Sequence, residues 1–200
     1  MDESNFELHF LGVSTAQSII HKVFEKWCQC LGVSLRIVGV DLPLRSKAII
    51  YRRFIEDIKN KYPRVRGALV TSHKASLFDS ARDLFDEVSE MSNRLNEIGM
   101  IYWRGNKLVG DANDAISNRN VLTQILGQSE SWLTGTRSAL ILGGGGAGVA
   151  LANCLVTHGG LDCRKVVITE RDETRAEHLR TLFLSWNARI PMEVVQVNAG

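Results

Sequence analysis

Two periods alternate along this chain of 200 residues. Short apolar runs stand at 7–13 (ELHFLGV), 34–42 (SLRIVGVDL), 65–71 (VRGALVT), 139–142 (ALIL), 165–169 (KVVIT) and 192–197 (MEVVQV), and each reads as a buried strand. Between them, apolar residues recur at helical spacing. Residues 16–31 carry Ile19, Ile20, Val23, Phe24, Trp27 and Leu31 on one side, and Gly32 is the stop signal. Further helices are expected over 46–61 and from 76 to 91, and 111–126 reads as a helix linking two domains. Two apolar runs flank Arg104-Gly105-Asn106-Lys107, the signature of a hairpin. Strand–helix alternation predicts an α/β protein with parallel sheets covered on both faces.

The chain is organised around 138–156, where the run Ala139 to Leu142 meets four consecutive glycines and a helix of small residues follows. Gly143, Gly145 and Gly148 satisfy G-x-G-x-x-G in its proper context of strand, turn and helix start. The first glycine makes the turn, the second lets backbone approach a pyrophosphate, and the third lets helix and strand pack closely. Unbonded N–H groups at the helix start then face the negative charge. Glu170, at the end of the next strand and 22 residues past Gly148, stands where a ribose-binding acid is expected. Residues 138–161 contain no Lys, Arg, Asp or Glu, which alone would suggest a membrane span. Glycines at its centre and the second strand beyond it favour a dinucleotide fold.

Composition adds limits rather than chemistry. With 44% hydrophobic and 23% charged residues the chain can bury a substantial core, and a net charge of +2 from scattered Lys and Arg predicts no nucleic-acid surface. The acidic, polar start, MDESNFELHF, predicts no secretory leader. Cys28, Cys30, Cys154 and Cys163 show no metal-ligand spacing, so no metal is expected and reduced thiols in the cytoplasm are.

In α/β units ligands gather beyond the carboxyl ends of strands. That places Ser14, Thr15, Thr71 to Lys74 and the region of Asp114 on the side of the glycine turn, across an interdomain cleft. Lys74 can exchange a proton with a substrate hydroxyl if a carboxylate such as Asp114 partners it, or it is a solvated loop lysine while Asp114 caps a helix. His73 is a weaker acid/base candidate by its titration range. His21 reads as a structural histidine, and Trp27, Trp103, Trp132 and Trp186 as packing residues.

These residues together resemble the shikimate/quinate dehydrogenase family along nearly the whole chain. The family's G-x-N-V-T-x-P-x-K is similar to Gly67 through Lys74 with one residue fewer, and its G-x-N-T-D to Gly110-Asp111-Ala112-Asn113-Asp114. Its G-A-G-G-A-A is similar to Gly143-Gly144-Gly145-Gly146-Ala147-Gly148, and its Asn-Arg-Thr to Glu170-Arg171-Asp172 with Arg175 beyond. The resemblance implies a three-layer α/β substrate domain over 1–117 and the first half of a Rossmann domain over 118–200. It implies an NAD(P)-dependent oxidoreductase acting on a ring hydroxyl of a small cyclic hydroxy acid, with Lys74 and Asp114 as the acid/base dyad. Ser14, Thr15 and Thr71 would bind substrate. Gly143, Gly145, Gly146, Ala147, Gly148, Glu170, Arg171 and Arg175 would bind the cofactor. The two arginines favour NADP through the 2′-phosphate, while Glu170 leaves NAD possible.

Several positions depart from the family pattern. Leu69, Gly99 and Ala112 replace asparagines, the loop proline before Lys74 is missing, and the serine loop is shortened to Val13-Ser14-Thr15-Ala16-Gln17-Ser18. A site that loses hydroxyl partners changes its substrate strongly, so a relative of shikimate is expected rather than shikimate itself. After the third Rossmann strand the sequence stops at Gly200, where family members continue, so either a fragment of a longer protein or a reduced member of the family is expected. The rival expectation from these departures is a non-catalytic binding or regulatory protein on a dehydrogenase scaffold.

Overall fold

The computed structural model describes residues 6–126, 138–157 and 164–198. Trp132 and Cys163 lie outside the described residues. The chain divides into two units, Met1–Ala112 and Asn113–Gly200, a boundary that falls ahead of the linking helix rather than within it.

Unit 1 is built on a six-stranded sheet of order β2-β1-β3-β5-β6-β4. Its strands are β1 (Glu7–Gly12), β2 (Arg36–Asp41), β3 (Val65–Val70), β4 (Glu87–Val88), β5 (Met100–Arg104) and β6 (Lys107–Asp111). β1 runs parallel to both β2 and β3, as the crossover helices α1 (Ile20–Leu31) and α2 (Ala48–Asn60) demand. β5 and β6 form the expected antiparallel hairpin, Arg104 pairing with Lys107. α2 and α3 (Lys74–Ala81) cover the core, where Tyr51, Ile55, Ile58, Leu77 and Phe78 pack on Leu11, Val65, Ala68 and Ile101.

One expected helix is broken. The stretch 76–91 holds the end of α3, a 3-10 turn at Arg82–Leu84, the two-residue strand β4, and the start of α4 (Glu90–Leu95). Tertiary pairing wins over helical spacing here: the backbone N–H of Asp86 donates to the Leu108 carbonyl, and its carboxylate accepts from the Leu108 N–H at 2.6 Å. Ser89 then restarts the helix, its hydroxyl accepting from the Ser92 N–H.

Unit 2 holds α5 (Asp114–Leu126), β7 (Ser138–Leu142), α6 (Gly146–Thr157), β8 (Lys165–Glu170), α7 (Glu173–Ser185) and β9 (Met192–Gln196). Its sheet is β7-β8-β9, all parallel. α6 and α7 follow successive strands in one winding direction, so both lie on one face. There Val166 and Ile168 are fully buried and Ile141 nearly so. Leu140 and Leu142 point to the opposite face and are 64% and 80% exposed. The expectation that both faces are covered therefore fails among the described residues of this unit. No helix of the described residues is long and apolar enough to cross a membrane.

Candidate active site

In unit 1 the candidate residues collect where β1 and β3 end. Gly12, the last residue of β1, sits between two of them: a Cβ placed on it would lie 3.0 Å from Cγ2 of both Thr15 and Thr71. The Thr71 backbone N–H donates to the Leu11 carbonyl at 3.0 Å, which holds the end of β3 beside the end of β1. Ser14 and Thr71 are exposed, but Thr15 is turned inward. Its N–H donates to Asp41 Oδ1 at 2.8 Å, and its hydroxyl packs on Gly39, leaving no room there for a side chain. The backbone N–H and the side chain of Thr15 together hold the Asp41 carboxyl below the usual carboxylate range.

Lys74 opens α3 directly after this strand end. Its backbone carbonyl accepts from the Ile98 N–H at 3.1 Å, which fixes the segment ending in Gly99 beside the lysine. A Cβ on Gly99 would meet Lys74 Cε at 3.4 Å and Nζ at 3.6 Å. Gly99, where the family pattern has asparagine, is thus in contact range of the amine, a closeness that no local sequence signal reveals. Its own N–H donates to the Asp111 carbonyl, and its carbonyl accepts from Val70 N–H.

His73 is a strut instead of an acid/base at the surface. It is 1% exposed, its Nδ1 lies 2.9 Å from the Tyr51 hydroxyl, and its Nε2 lies 3.3 and 3.1 Å from the carbonyls of Gly12 and Leu42. Two carbonyls require a donor at Nε2, and Nδ1 shares a hydrogen bond with the Tyr51 hydroxyl. The side chain thereby ties the ends of β1 and β2 to α2. His21 is structural as expected, Nε2 lying 3.0 Å from the Thr15 carbonyl. Trp103 and Trp186 pack against Tyr62 and Phe183. Trp27 does not act as a packing residue: it is 52% exposed, because α1 buries only Phe24 fully against its unit.

In unit 2 the glycine turn has the geometry its pattern demands. Gly143 has φ of 102°, a region costly for any side chain, and a Cβ on Gly148 would run into the Gly143 carbonyl oxygen. Gly145, by contrast, has nothing within 4 Å of its missing Cβ. Gly146 and Ala147 begin α6, whose first N–H groups have no carbonyl within the helix to bond. Glu170 reaches this turn, since a Cβ on Gly144 would lie 2.7 Å from Glu170 Oε2. The other Glu170 oxygen accepts from the N–H groups of Arg171 and Asp172 at 2.7 and 3.2 Å. Arg175 Nε and one terminal nitrogen donate to the Gly144 carbonyl, both at 3.3 Å. Arg171 is exposed. Backbone N–H groups at a helix start, an open approach at Gly145, and Glu170 and Arg175 beside the turn fit a dinucleotide phosphate and its ribose.

Asp114 is the first residue of α5 and belongs to unit 2, whereas Lys74 belongs to unit 1. Cys28, Cys30 and Cys154 are free thiols, and burial pushes the Cys154 thiol up. Among the described residues no group of three or more His, Cys, Asp or Glu side chains could hold a metal.

Comparison with known proteins bears on both units. No protein-family model matches the chain. A shikimate dehydrogenase (NADP(+)) of Maridesulfovibrio salexigens is 31% identical over 130 residues, 62% of this chain and 43% of that protein. A shikimate 5-dehydrogenase of Listeria monocytogenes, solved with shikimate and NAD, superposes with a TM-score of 0.73 at 14% identity, over 96% of this chain and 61% of its own. A quinate dehydrogenase of Corynebacterium glutamicum, solved with NAD, gives a TM-score of 0.73 at 19% identity, over 96% and 64%. The chain thus spans less than half the length of the curated relative and under two thirds of these solved chains. The resemblance read from motifs stands in sequence and in fold: over the part of their length that this chain spans, its fold is that of the shikimate and quinate dehydrogenases.

Proposed function

We propose that this chain is a divergent shikimate/quinate dehydrogenase-type oxidoreductase that binds NADP, or NAD less well, and acts on a ring hydroxyl of a small cyclic hydroxy acid. The observation that carries the reading is the glycine turn, open at Gly145 and closed at Gly148, in a chain whose other unit presents Lys74 at a strand end.

The bound dinucleotide supplies a nicotinamide ring that accepts or returns hydride. Gly143, Gly145, Gly146, Ala147 and Gly148 hold its pyrophosphate through backbone N–H groups, which need no desolvated side chain. Arg171 takes the 2′-phosphate with help from Arg175, and Glu170 is left for the 2′-hydroxyl of NAD. On the substrate side, Lys74 takes the proton from the reacting hydroxyl and returns it in the reverse direction. Asp114 orients that hydroxyl and offsets the ammonium charge. Ser14 and Thr71 hold the carboxylate, and Thr15 contributes by its hold on Asp41. With Gly99 offering no side chain beside Lys74, the preferred substrate differs from shikimate on that side.

The test is the absorbance of reduced nicotinamide with shikimate and quinate, each offered with NAD and NADP. Lys74→Ala is expected to lower turnover by about 10²–10⁴-fold, the usual weight of a general acid/base, and to leave dinucleotide affinity unchanged. Unchanged turnover would remove Lys74 from the chemistry. Dinucleotide binding without turnover on any cyclic hydroxy acid would favour a binding role.

A further inference from the structure

Four glycines in a row, Gly143 to Gly146, give the turn its open approach and also leave it loose. Glycine loses more backbone freedom on ordering than any other residue, and peptide groups between glycines reorient with little steric cost. Contacts from outside the run must therefore hold its peptide groups in one orientation, and there are three. The Gly143 N–H donates to Thr169 Oγ1 at 3.1 Å, at the end of β8. The Gly145 carbonyl accepts from the Val149 N–H at 3.0 Å, in the first turn of α6. Between them, the Gly144 carbonyl accepts from Arg175 Nε and from one terminal nitrogen of the same guanidinium, both at 3.3 Å.

The middle contact decides where a donor of the turn points. A trans peptide sets its carbonyl and its N–H on opposite sides, so drawing the Gly144 carbonyl onto Arg175 aims the Gly145 N–H away from Arg175. Arg175 is itself well placed for this. Its backbone N–H donates to Asp172 Oδ1 at 2.9 Å, which fixes the first turn of α7, and its side chain is half-buried where that of Arg171 is exposed. The approach of α7 also depends on Gly144: a Cβ there would lie 2.5 Å from Leu179 Cδ1 and 2.7 Å from Glu170 Oε2.

We infer that Arg175 is a positioning residue of the glycine turn, acting through the Gly144 carbonyl with Thr169 as the second clamp. Its help to Arg171 is given in this way, and not by contact with the 2′-phosphate. The inference rests on the reading that this turn binds a dinucleotide. A pyrophosphate is common to NAD and NADP, whereas the 2′-phosphate belongs to NADP alone. A residue that holds the pyrophosphate donors in place therefore serves both cofactors equally, and a residue that binds the 2′-phosphate serves one.

The test compares Arg175→Met, which keeps the aliphatic stem, with Thr169→Val and Arg171→Met in the whole chain. Hydrogen exchange of the ligand-free protein comes first, because it needs no cofactor. Arg175→Met should speed exchange of the Gly143 N–H about tenfold, as Thr169→Val should by removing its acceptor, while the amides of Val166 and Ile168 at the sheet centre keep the parent rate. Titration with NAD and with NADP comes second. Arg175→Met should weaken both by about tenfold, the weight of a charge-assisted hydrogen bond, and leave their ratio unchanged, whereas Arg171→Met should change the ratio. A loss confined to NADP in Arg175→Met overturns the inference, and so does an unaltered exchange rate at Gly143. A parent chain that binds neither dinucleotide refutes the proposed function instead, and the exchange comparison alone then decides whether Arg175 holds the turn.

Discussion

In unit 2 the candidate site is a stretch of backbone, and glycines serve it by what they lack: no side chain at Gly145, no room for one at Gly148. In unit 1 it is a row of side chains at strand ends, each held by a neighbour from another segment: Thr15 by Asp41, His73 by Tyr51, Lys74 beside Gly99. A backbone site tolerates little change at the residues that set its path, because a Cβ at Gly148 would meet the Gly143 carbonyl and a side chain at Gly143 would be strained at its φ of 102°. A side-chain site can be altered one group at a time and still stand, and Leu69, Gly99 and Ala112 are such alterations set into an unbroken sheet.

The difference is broken most severely at Gly148. Gly148→Ala drives a methyl group into the Gly143 carbonyl oxygen, and relief requires the turn to open. Overpacking of this kind costs about 1–3 kcal/mol, and the displaced N–H groups should weaken dinucleotide binding by about 100-fold, their alignment being the whole of the phosphate site. Titration by nucleotide fluorescence measures it. Binding within twofold of the parent would mean that this turn does not hold the phosphates.

Gly99→Asn probes the opposite behaviour. The new Cβ would stand 3.4 Å from Lys74 Cε, an ordinary contact, so the fold should be unaffected. The added amide offers a donor and an acceptor beside the amine, and shikimate turnover relative to other hydroxy acids should rise about tenfold, as expected when a polar partner is restored to a substrate hydroxyl. Equal gains for all substrates would show that position 99 does not face the ring.

These contrasts explain what the sequence made legible. The glycine turn was readable because its requirement is local: spacing of glycines after an apolar run defines the backbone path, and Gly143, Gly145 and Gly148 behave as that spacing implies. The strands and the hairpin around Gly105 were readable from periodicity for the same reason. The break at Asp86 was not, because its cause is a hydrogen bond to Leu108, distant in sequence. Nor was the role of His73, whose partners Tyr51, Gly12 and Leu42 come from three other segments. A histidine beside a candidate lysine attracts a chemical reading, and only its burial and two carbonyl contacts assign it to structure.

His73→Leu tests that assignment. It removes one hydrogen bond to Tyr51 and leaves two carbonyls without a donor, which should cost about 1–3 kcal/mol of stability, the range for orphaned buried groups. Denaturant unfolding measures the loss. The pH dependence of turnover in the surviving enzyme should keep its shape, and a lost ionisation would return His73 to the chemistry.

The smallest expected effect lies at the opposite end of the same strands. His9 and Glu7 are buried near one another, His9 Nε2 lying 3.5 Å from Glu7 Oε2, with Lys61 and Asp57 as more distant charges. Burial pulls His9 below its ordinary value of 6.5, although Glu7 opposes this. Burial pushes Glu7 up, but the guanidiniums of Arg64 and Arg36 outweigh it and leave the carboxyl below 4.5. Both groups therefore bind a proton more readily in the unfolded chain, and both make stability fall as pH falls. The His9 contribution is complete above its unfolded value near 6.5 and is lost as pH descends to the lower folded value. The Glu7 contribution persists to lower pH and is lost from about 4.5 downward. Melting temperature followed across this range should decline in two stages, and His9→Gln should remove the first stage while leaving the second. A single decline common to parent and variant would show that His9 carries the same proton affinity folded and unfolded. With dinucleotide binding proposed to rest on unit 2 backbone, that first stage should be absent from the pH dependence of cofactor affinity, which separates the two units by titration alone.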